Sequence, residues 1–239
     1  MIYITFCYEP DTAMLLMASA RIRTLDPKAR IFAVNDPAAP VKQAIPGVVF
    51  MTADFPRGGN LNGLSTVAGE LAVFERLLKA ERDEYLVKFD CDMWANDLSP
   101  FMRTKPEGGK HVPDYLSVER FEAFKPSGMI YRMSKWAVAA AIRVFNARSA
   151  AGQWVQGNQY PEDVTIYNLV QAARLHTELI PFASGYTAGM TDAGVGCYEG
   201  QKRAGVVHCG EPLPNGTRIS REHATLRMRI IKHETETTK

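Results

Sequence analysis

The chain has 239 residues, 46% of them hydrophobic, with 28 basic and 26 acidic side chains and a formal net charge of +2. A chain of this size buries about 70% of the surface its unfolded form exposes, which excludes a disordered or fibrous protein. So small a net charge gives no argument for nucleic acid as the principal partner.

No run of 18 apolar residues occurs, and the opening MIYITFCYEP carries no basic leader. Neither a spanning helix nor a secretory signal is expected, and the cytoplasm is the expected compartment. The four cysteines, Cys7, Cys91, Cys197 and Cys209, form no CxxC pair, which fits a reducing compartment better than a disulfide framework.

Short β-rich runs alternate with helical patterns, the signature of a layered α/β protein with a central sheet flanked by helices. Ile2 to Cys7 reads as a buried strand, and Pro10-Asp11 opens a helix carrying Met14, Leu15, Met17, Ala18 and Ile22. Arg30 to Asn35 and Val48 to Met51 read as the next strands. The run PRGGNLNGLS reads as a loop, because five of its residues are Gly or Asn. Thr66 to Lys79 is a helix and Tyr85 to Asp92 a strand. Tyr115 to Phe124 and Gly128 to Met133 read as strands, and Lys135 to Phe145 as a helix. Pro161 begins a helix reaching Arg174, and strands near Leu179 and Val206 are expected to complete the sheet. No repeat and no dividing linker is present, so residues 1–217 read as one domain and 218–239 as a basic tail.

The strand YLVKFDCD carries the most chemistry. Side chains in a strand alternate faces, so Tyr85, Val87, Phe89 and Cys91 share one side and Lys88, Asp90 and Asp92 the other. Ligands of open α/β sheets collect at the carboxyl ends of strands, and paired carboxylates suit Mg²⁺ or Mn²⁺ held together with substrate phosphates. An Asp-x-Asp triplet alone is a weak signal, since it also ends strands and solvates turns. Here an apolar strand feeds directly into the pair, and Asn96-Asp97-Leu98 follows.

With FDCDMWANDLSPF, SGMIYRMSK and PEDVTIYNLV, about half of the chain resembles the GT-A glycosyltransferases, nearest the branch containing glycogenin and the bacterial lipopolysaccharide galactosyltransferases. The resemblance implies a single Rossmann-like domain with a mixed, mostly parallel sheet, transferring a sugar from a nucleotide diphosphate donor, UDP first, to an acceptor. By that resemblance Asp92 binds the metal, Asp90 contacts the metal or the donor ribose, and His208 supplies a third metal ligand. Imidazole makes Mn²⁺ the first choice over Mg²⁺. Thr5, Cys7 and Tyr8 lie at the end of the first strand, where the fold holds the nucleoside, with Tyr8 able to stack on the base. A core tyrosine is the competing reading.

In the related enzymes a lysine and an aromatic residue follow the histidine and grip the diphosphate, whereas here the chain runs His208-Cys209-Gly210-Glu211-Pro212-Leu213. Lys88 is on the right strand face to replace that lysine, with Lys202 and Arg203 as further candidates. Arg57, in the glycine-rich loop, is another residue able to approach the donor. Near the acceptor, Glu162 and Asp163 stand in the first turn of a helix. Asp163 is the favoured group for orienting or deprotonating the acceptor hydroxyl, although acids there also stabilise the helix dipole. Retention and inversion of configuration both remain open.

The segment from Arg218 to His233 has a helical pattern with Ile219, His223, Leu226 and Ile230 on one stripe and cations elsewhere. Such a basic amphipathic helix fits peripheral contact with an anionic membrane, contact with nucleic acid, or docking on the domain itself. The acceptor class stays open among glycan, lipid-linked, protein and nucleic acid. Two rival functions stand beside sugar transfer: a catalytically silent sugar-nucleotide or glycan-binding protein, and a sugar nucleotidyltransferase. The second would be expected to carry a glycine-rich basic signature where this chain has EPDTAMLL.

Overall fold

The computed structural model describes residues 1–53, 59–106, 111–120, 125–153, 162–180, 205–210 and 220–237. A seven-stranded sheet in the order β3-β2-β1-β4-β7-β6-β8 forms its centre. The strands are β1 (Ile2–Cys7), β2 (Arg30–Asn35), β3 (Val48–Thr52), β4 (Tyr85–Phe89), β6 (Tyr115–Arg120), β7 (Lys125–Ser134) and β8 (Thr177–Ile180). Only β7 runs against its neighbours β4 and β6. The four strands from β3 to β4 are mutually parallel, as are β6 and β8. β1 is buried along nearly its whole length, as its unbroken apolar run IYITFC requires of a strand covered on both faces.

Helices cover both faces. On one side α1 (Thr12–Leu25) packs through Met14, Leu15, Ala18 and Ile22 against Tyr3, Val87 and Phe89. On the other, α2 (Gly59–Glu81), α4 (Lys135–Ala150) and α5 (Glu162–Ala172) pack against Ile2, Ile4, Leu86 and Tyr131. Val67, Leu71, Phe74 and Leu78 give α2 its buried stripe. α4 starts cleanly because the Ser134 hydroxyl accepts from the Ala137 N–H at 3.0 Å, satisfying one of the orphan donors of the first turn.

Several boundaries differ from expectation. The run 59–63, read as loop, is the beginning of α2. The first four N–H groups of a helix need no intrahelical acceptor, and the long apolar stripe that follows outweighs about 1 kcal/mol for each glycine. The strand expected to reach Asp92 ends at Phe89. A turn follows, closed by the Met93 N–H donating to the Asp90 carbonyl at 3.1 Å. The chain then enters β5 (Met93–Ala95) and the short α3 (Ser99–Met102). The strand near Val206, β9 (Val206–His208), does not join the main sheet. It pairs with β5 in a separate antiparallel ribbon.

The chain ends in α6 (Arg221–Thr237). Its docked stripe is Ala224, Met228 and Ile231, which pack in the same cluster as α1 and β5. The expected stripe does not form, since His223 and Leu226 are exposed, and Ile219 lies outside the described residues. Arg227 is buried beside the docked stripe and donates to the Cys209 carbonyl at 3.2 Å. No helix among the described residues is long and apolar enough to cross a membrane.

Candidate active site

The order of the sheet reverses between β1 and β4: β1 continues to β2 on one side and borders β4 on the other. Ligands of open α/β sheets bind in the crevice outside such a point, at the carboxyl ends of the strands. Three segments converge there. β1 leads into Tyr8 and the single 3₁₀ turn Glu9–Asp11, β4 leads into the turn at Asp90–Met93, and α6 contributes its first residue, Arg221.

Arg221 joins the other two segments. Its Nε donates to the Tyr8 Oη at 3.1 Å and lies 3.4 Å from Asp11 Oδ1, while Nη1 lies 3.3 Å from Asp92 Oδ2. The guanidinium carbon is 5.4 Å from the centre of the Tyr8 ring. Asp11 and Asp92 are both buried. The second oxygen of Asp11 accepts from the Tyr8 N–H at 3.3 Å. Burial raises the Asp11 carboxyl to about 6; Arg221 and the Tyr8 N–H oppose the rise, and Asp92 and Asp90 add to it. Burial alone would lower Arg221, but Asp11, Asp92 and Tyr8 together hold it above its ordinary value.

A second charged group lies on the other side of β4, against α2, α5 and β7. The Lys88 ammonium is 2.5 Å from Asp90 Oδ1 and 5.6 Å from the centre of the Tyr131 ring. Tyr131 Oη donates to Glu70 Oε2 at 3.2 Å. Burial pushes Glu70 up to about 8, with Lys88 the main opposing influence. Glu162 is also raised, first by burial, and its Oε2 is inaccessible and has no hydrogen-bond partner among the described residues. For Lys88 itself the loss of solvent pulls down, but Asp90, Glu70 and Glu162 outweigh it and keep the ammonium charged.

The sequence-derived candidates therefore divide. Asp90 and Lys88 share a side and pair with each other. Asp92, expected on that side too, instead turns to Arg221, because the strand alternation stops at Phe89. Thr5 has no exposed surface to offer a ligand and spends its hydroxyl on the Cys91 sulfur, 3.3 Å away. Lys88 is likewise buried, its ammonium held among Asp90, Glu70 and Glu162. Tyr8 stands half-buried at the rim of the crevice. Asp163 is buried, and its Oδ1 accepts from the Val164 N–H at 2.8 Å.

The β5–β9 ribbon sets His208 opposite Met93, next to Asp92, and the Cys209 N–H donates to the Asp92 carbonyl at 2.8 Å. The His208 side chain lies outside the described residues, as do Arg57, Lys202 and Arg203. Asp11 and Arg221 are the residues that sequence reasoning missed. Asp11 gave only a helix-start signal. The one hint of Arg221 was the lack of a lysine after His208.

The donor set fits a hard divalent cation. Asp11 and Asp92 already direct oxygens at one cationic group, and Asp11 Oδ1 is buried and accepts no hydrogen bond among the described residues, making only its ion contact with Arg221. Such oxygens suit Mn²⁺ or Mg²⁺, whose remaining positions are usually filled by water and substrate phosphate. Among the described residues no three His, Cys, Asp or Glu side chains are grouped to hold an ion by themselves.

A solved structure of a glycosyltransferase involved in the glycosylation of the major capsid of PBCV-1 superposes with a TM-score of 0.59 at 11% identity, covering 96% of this chain and 98% of that one. This is the GT-A glycosyltransferase fold. The galactosyltransferase LgtC, solved with donor and acceptor sugar analogues, matches with a TM-score of 0.51 at 13% identity over 96% of each chain. An active-site mutant of LgtC matches at 0.51 and 12% identity, over 98% of this chain and 96% of that one. No protein-family model and no curated protein matches the sequence. In this GT-A fold the mixed, mostly parallel sheet places both carboxylate groups at the edge of β4, one on each side.

Proposed function

We propose that the protein is a divalent-metal-dependent glycosyltransferase that takes its sugar from a nucleotide diphosphate donor, with a UDP sugar as first choice and Mn²⁺ preferred to Mg²⁺. One observation carries the reading: the buried carboxylates of Asp11 and Asp92 meet at a single cationic group in the switch-point crevice of a GT-A fold. Asp92 and Asp11 would hold the ion, with His208 as a further ligand, and Asp90, paired with Lys88, would contact the donor ribose. Once bound, the ion supplies neutralisation of the charge that develops on the departing diphosphate.

The remaining steps belong to the chain's own side chains. Tyr8, at the rim, offers a ring face to the nucleoside base. Lys88 fixes Asp90 through their 2.5 Å contact. Of the two acids heading α5, Glu162, the less buried, would handle the acceptor proton. Its raised carboxyl interacts with Asp90 and Lys88, whereas Asp163 already accepts from the Val164 N–H. The acceptor would be a glycan, lipid-linked, protein or nucleic acid hydroxyl. The protein would be cytoplasmic, with the exposed face of α6, including Arg229 and Lys232, available for peripheral membrane contact.

The test is a thermal-shift screen of nucleotide sugars with and without Mn²⁺. A ligand at a hundred times its Kd stabilises by about 2.7 kcal/mol, a rise of roughly 5–10 °C for a chain of this size. The expected result is such a rise for a UDP sugar only when Mn²⁺ is present, lost in Asp92→Asn. A screen in which no nucleotide sugar raises the melting temperature overturns the function.

A further inference from the structure

The guanidinium of Arg221 contacts both buried carboxylates of the crevice, Asp11 and Asp92. We propose that Arg221 is a resident counter-cation: it neutralises Asp11 and Asp92 in the empty protein, yields Asp92 to the divalent ion, and then takes the donor's diphosphate. The inference rests on the functional reading above and adds to it the identity of the residue that holds the site's carboxylates and then grips the phosphates.

The charges drive the exchange. Among the described residues, Asp11 and Asp92 stand against Arg221, an excess of one negative charge when both are ionised. Asp90 is committed to Lys88, so Arg221 serves the other two. A divalent ion on Asp92 turns the local excess positive and repels a guanidinium whose Nη1 lies 3.3 Å from Asp92 Oδ2. A diphosphate ester then brings two negative charges and restores the demand for a cation. Guanidinium suits that exchange, since its planar fork matches phosphate oxygens as well as carboxylates.

Burial identifies the partner that moves. The Arg221 side chain is 43% exposed, against 4% for Asp11 and 10% for Asp92. It can swing outward without opening the core, while the two carboxylates cannot follow. The helix behind it stays put, held by Ala224, Met228 and Ile231 and by the Arg227 bond to Cys209. Arg221 also lies against the Tyr8 ring and binds its hydroxyl. Departure of the guanidinium therefore uncovers the aromatic face proposed for the nucleoside base. One side chain covers the metal position and the base position in the empty protein.

The experiment uses the full chain as wild type, Arg221→Met and Arg221→Lys. Mn²⁺ alone is titrated by electron paramagnetic resonance, and UDP is titrated calorimetrically at saturating Mn²⁺. Arg221→Met is expected to bind Mn²⁺ about tenfold more tightly, because the competing cation is gone, and UDP at least tenfold more weakly. Arg221→Lys is expected to bind Mn²⁺ near the wild-type value and UDP with an intermediate loss, since an ammonium lacks the fork. If the wild type binds UDP with Mn²⁺ while Arg221→Met leaves either affinity unchanged, the counter-cation role is overturned and the glycosyltransferase reading stands. If the wild type takes up neither Mn²⁺ nor UDP, the functional reading falls and this inference with it. Should Arg221→Met fail to fold, Arg221→Lys decides, and an unchanged UDP affinity in that variant overturns the proposal.

Discussion

Two carboxylate groups flank the end of β4, and they differ in how their cations are held. Around Lys88 the ammonium is enclosed by Asp90, Glu70 and Glu162 on the side covered by α2 and α5. Around Arg221 the carboxylates are buried but the cation is half exposed. The enclosed cation is part of the core, and its removal leaves buried charge with no solvent to screen it. The exposed cation is exchangeable, and a ligand can take its place. Burial of the cation, rather than the number of charges, separates a fixed cation from an exchangeable one.

The largest effect that would break this contrast comes from Lys88→Met. It leaves Asp90 without its cation and removes the main opposing influence on the raised acids Glu70 and Glu162, and breaking a buried pair in this way costs up to about 3–5 kcal/mol. Urea denaturation should show a loss of that size, partly recovered at acid pH as the acids protonate. The same change at Arg221 should cost much less, because solvent reaches that side. Equal losses for Lys88→Met and Arg221→Met would erase the distinction.

The enclosed side also makes a prediction about pH. Glu70 titrates near 8 in the folded protein, and its ordinary value is 4.5. Over that interval the folded form keeps a proton that the unfolded form releases, so this group's stabilisation is full below about 4.5 and is lost as pH rises through 8. Ionising it costs the folded state on the order of 5 kcal/mol. Glu70→Gln keeps an oxygen to accept from Tyr131 and has no proton to lose. It should match the wild type near pH 5 and exceed it by that amount at pH 9, as read from urea midpoints. A constant difference between the two proteins across this range would show that Glu70 does not hold its proton.

Much of the scaffold was legible in the sequence for local reasons. Unbroken apolar runs gave β1 and β2 their limits, and the helical spacing of Met14, Leu15, Ala18 and Ile22 gave α1 its buried face. The alternation along β4 also held through Val87 and Phe89, which lie in one cluster. It failed at Asp92 because the ladder had ended and a turn re-aimed the side chain. What the sequence concealed is non-local. Arg221 and Asp92 are 129 positions apart, and nothing near either residue encodes their meeting. The β5–β9 pairing that brings His208 beside Asp92 is a similar long-range event. In α6 the expected stripe favoured the larger apolar residues, whereas docking uses Ala224 and Met228 and admits Arg227 through its bond to a backbone carbonyl.

The smallest effect concerns the two acids at the start of α5, which belong to the enclosed side but do different things. Asp163 has its Oδ1 on the Val164 N–H, so Asp163→Asn keeps an acceptor there and removes a charge at the helix N-terminus, worth about 0.3–1 kcal/mol. Turnover of a UDP sugar should then stay within about threefold of wild type. Glu162→Gln removes the raised carboxyl beside Asp90 and Lys88, and loss of a group that handles a proton in the transition state lowers turnover about 10²-fold or more. Each variant is measured for urea midpoint and turnover together. If Asp163→Asn is the variant that loses activity, the acceptor proton is handled at Asp163, and the enclosed group around Lys88 is purely architectural.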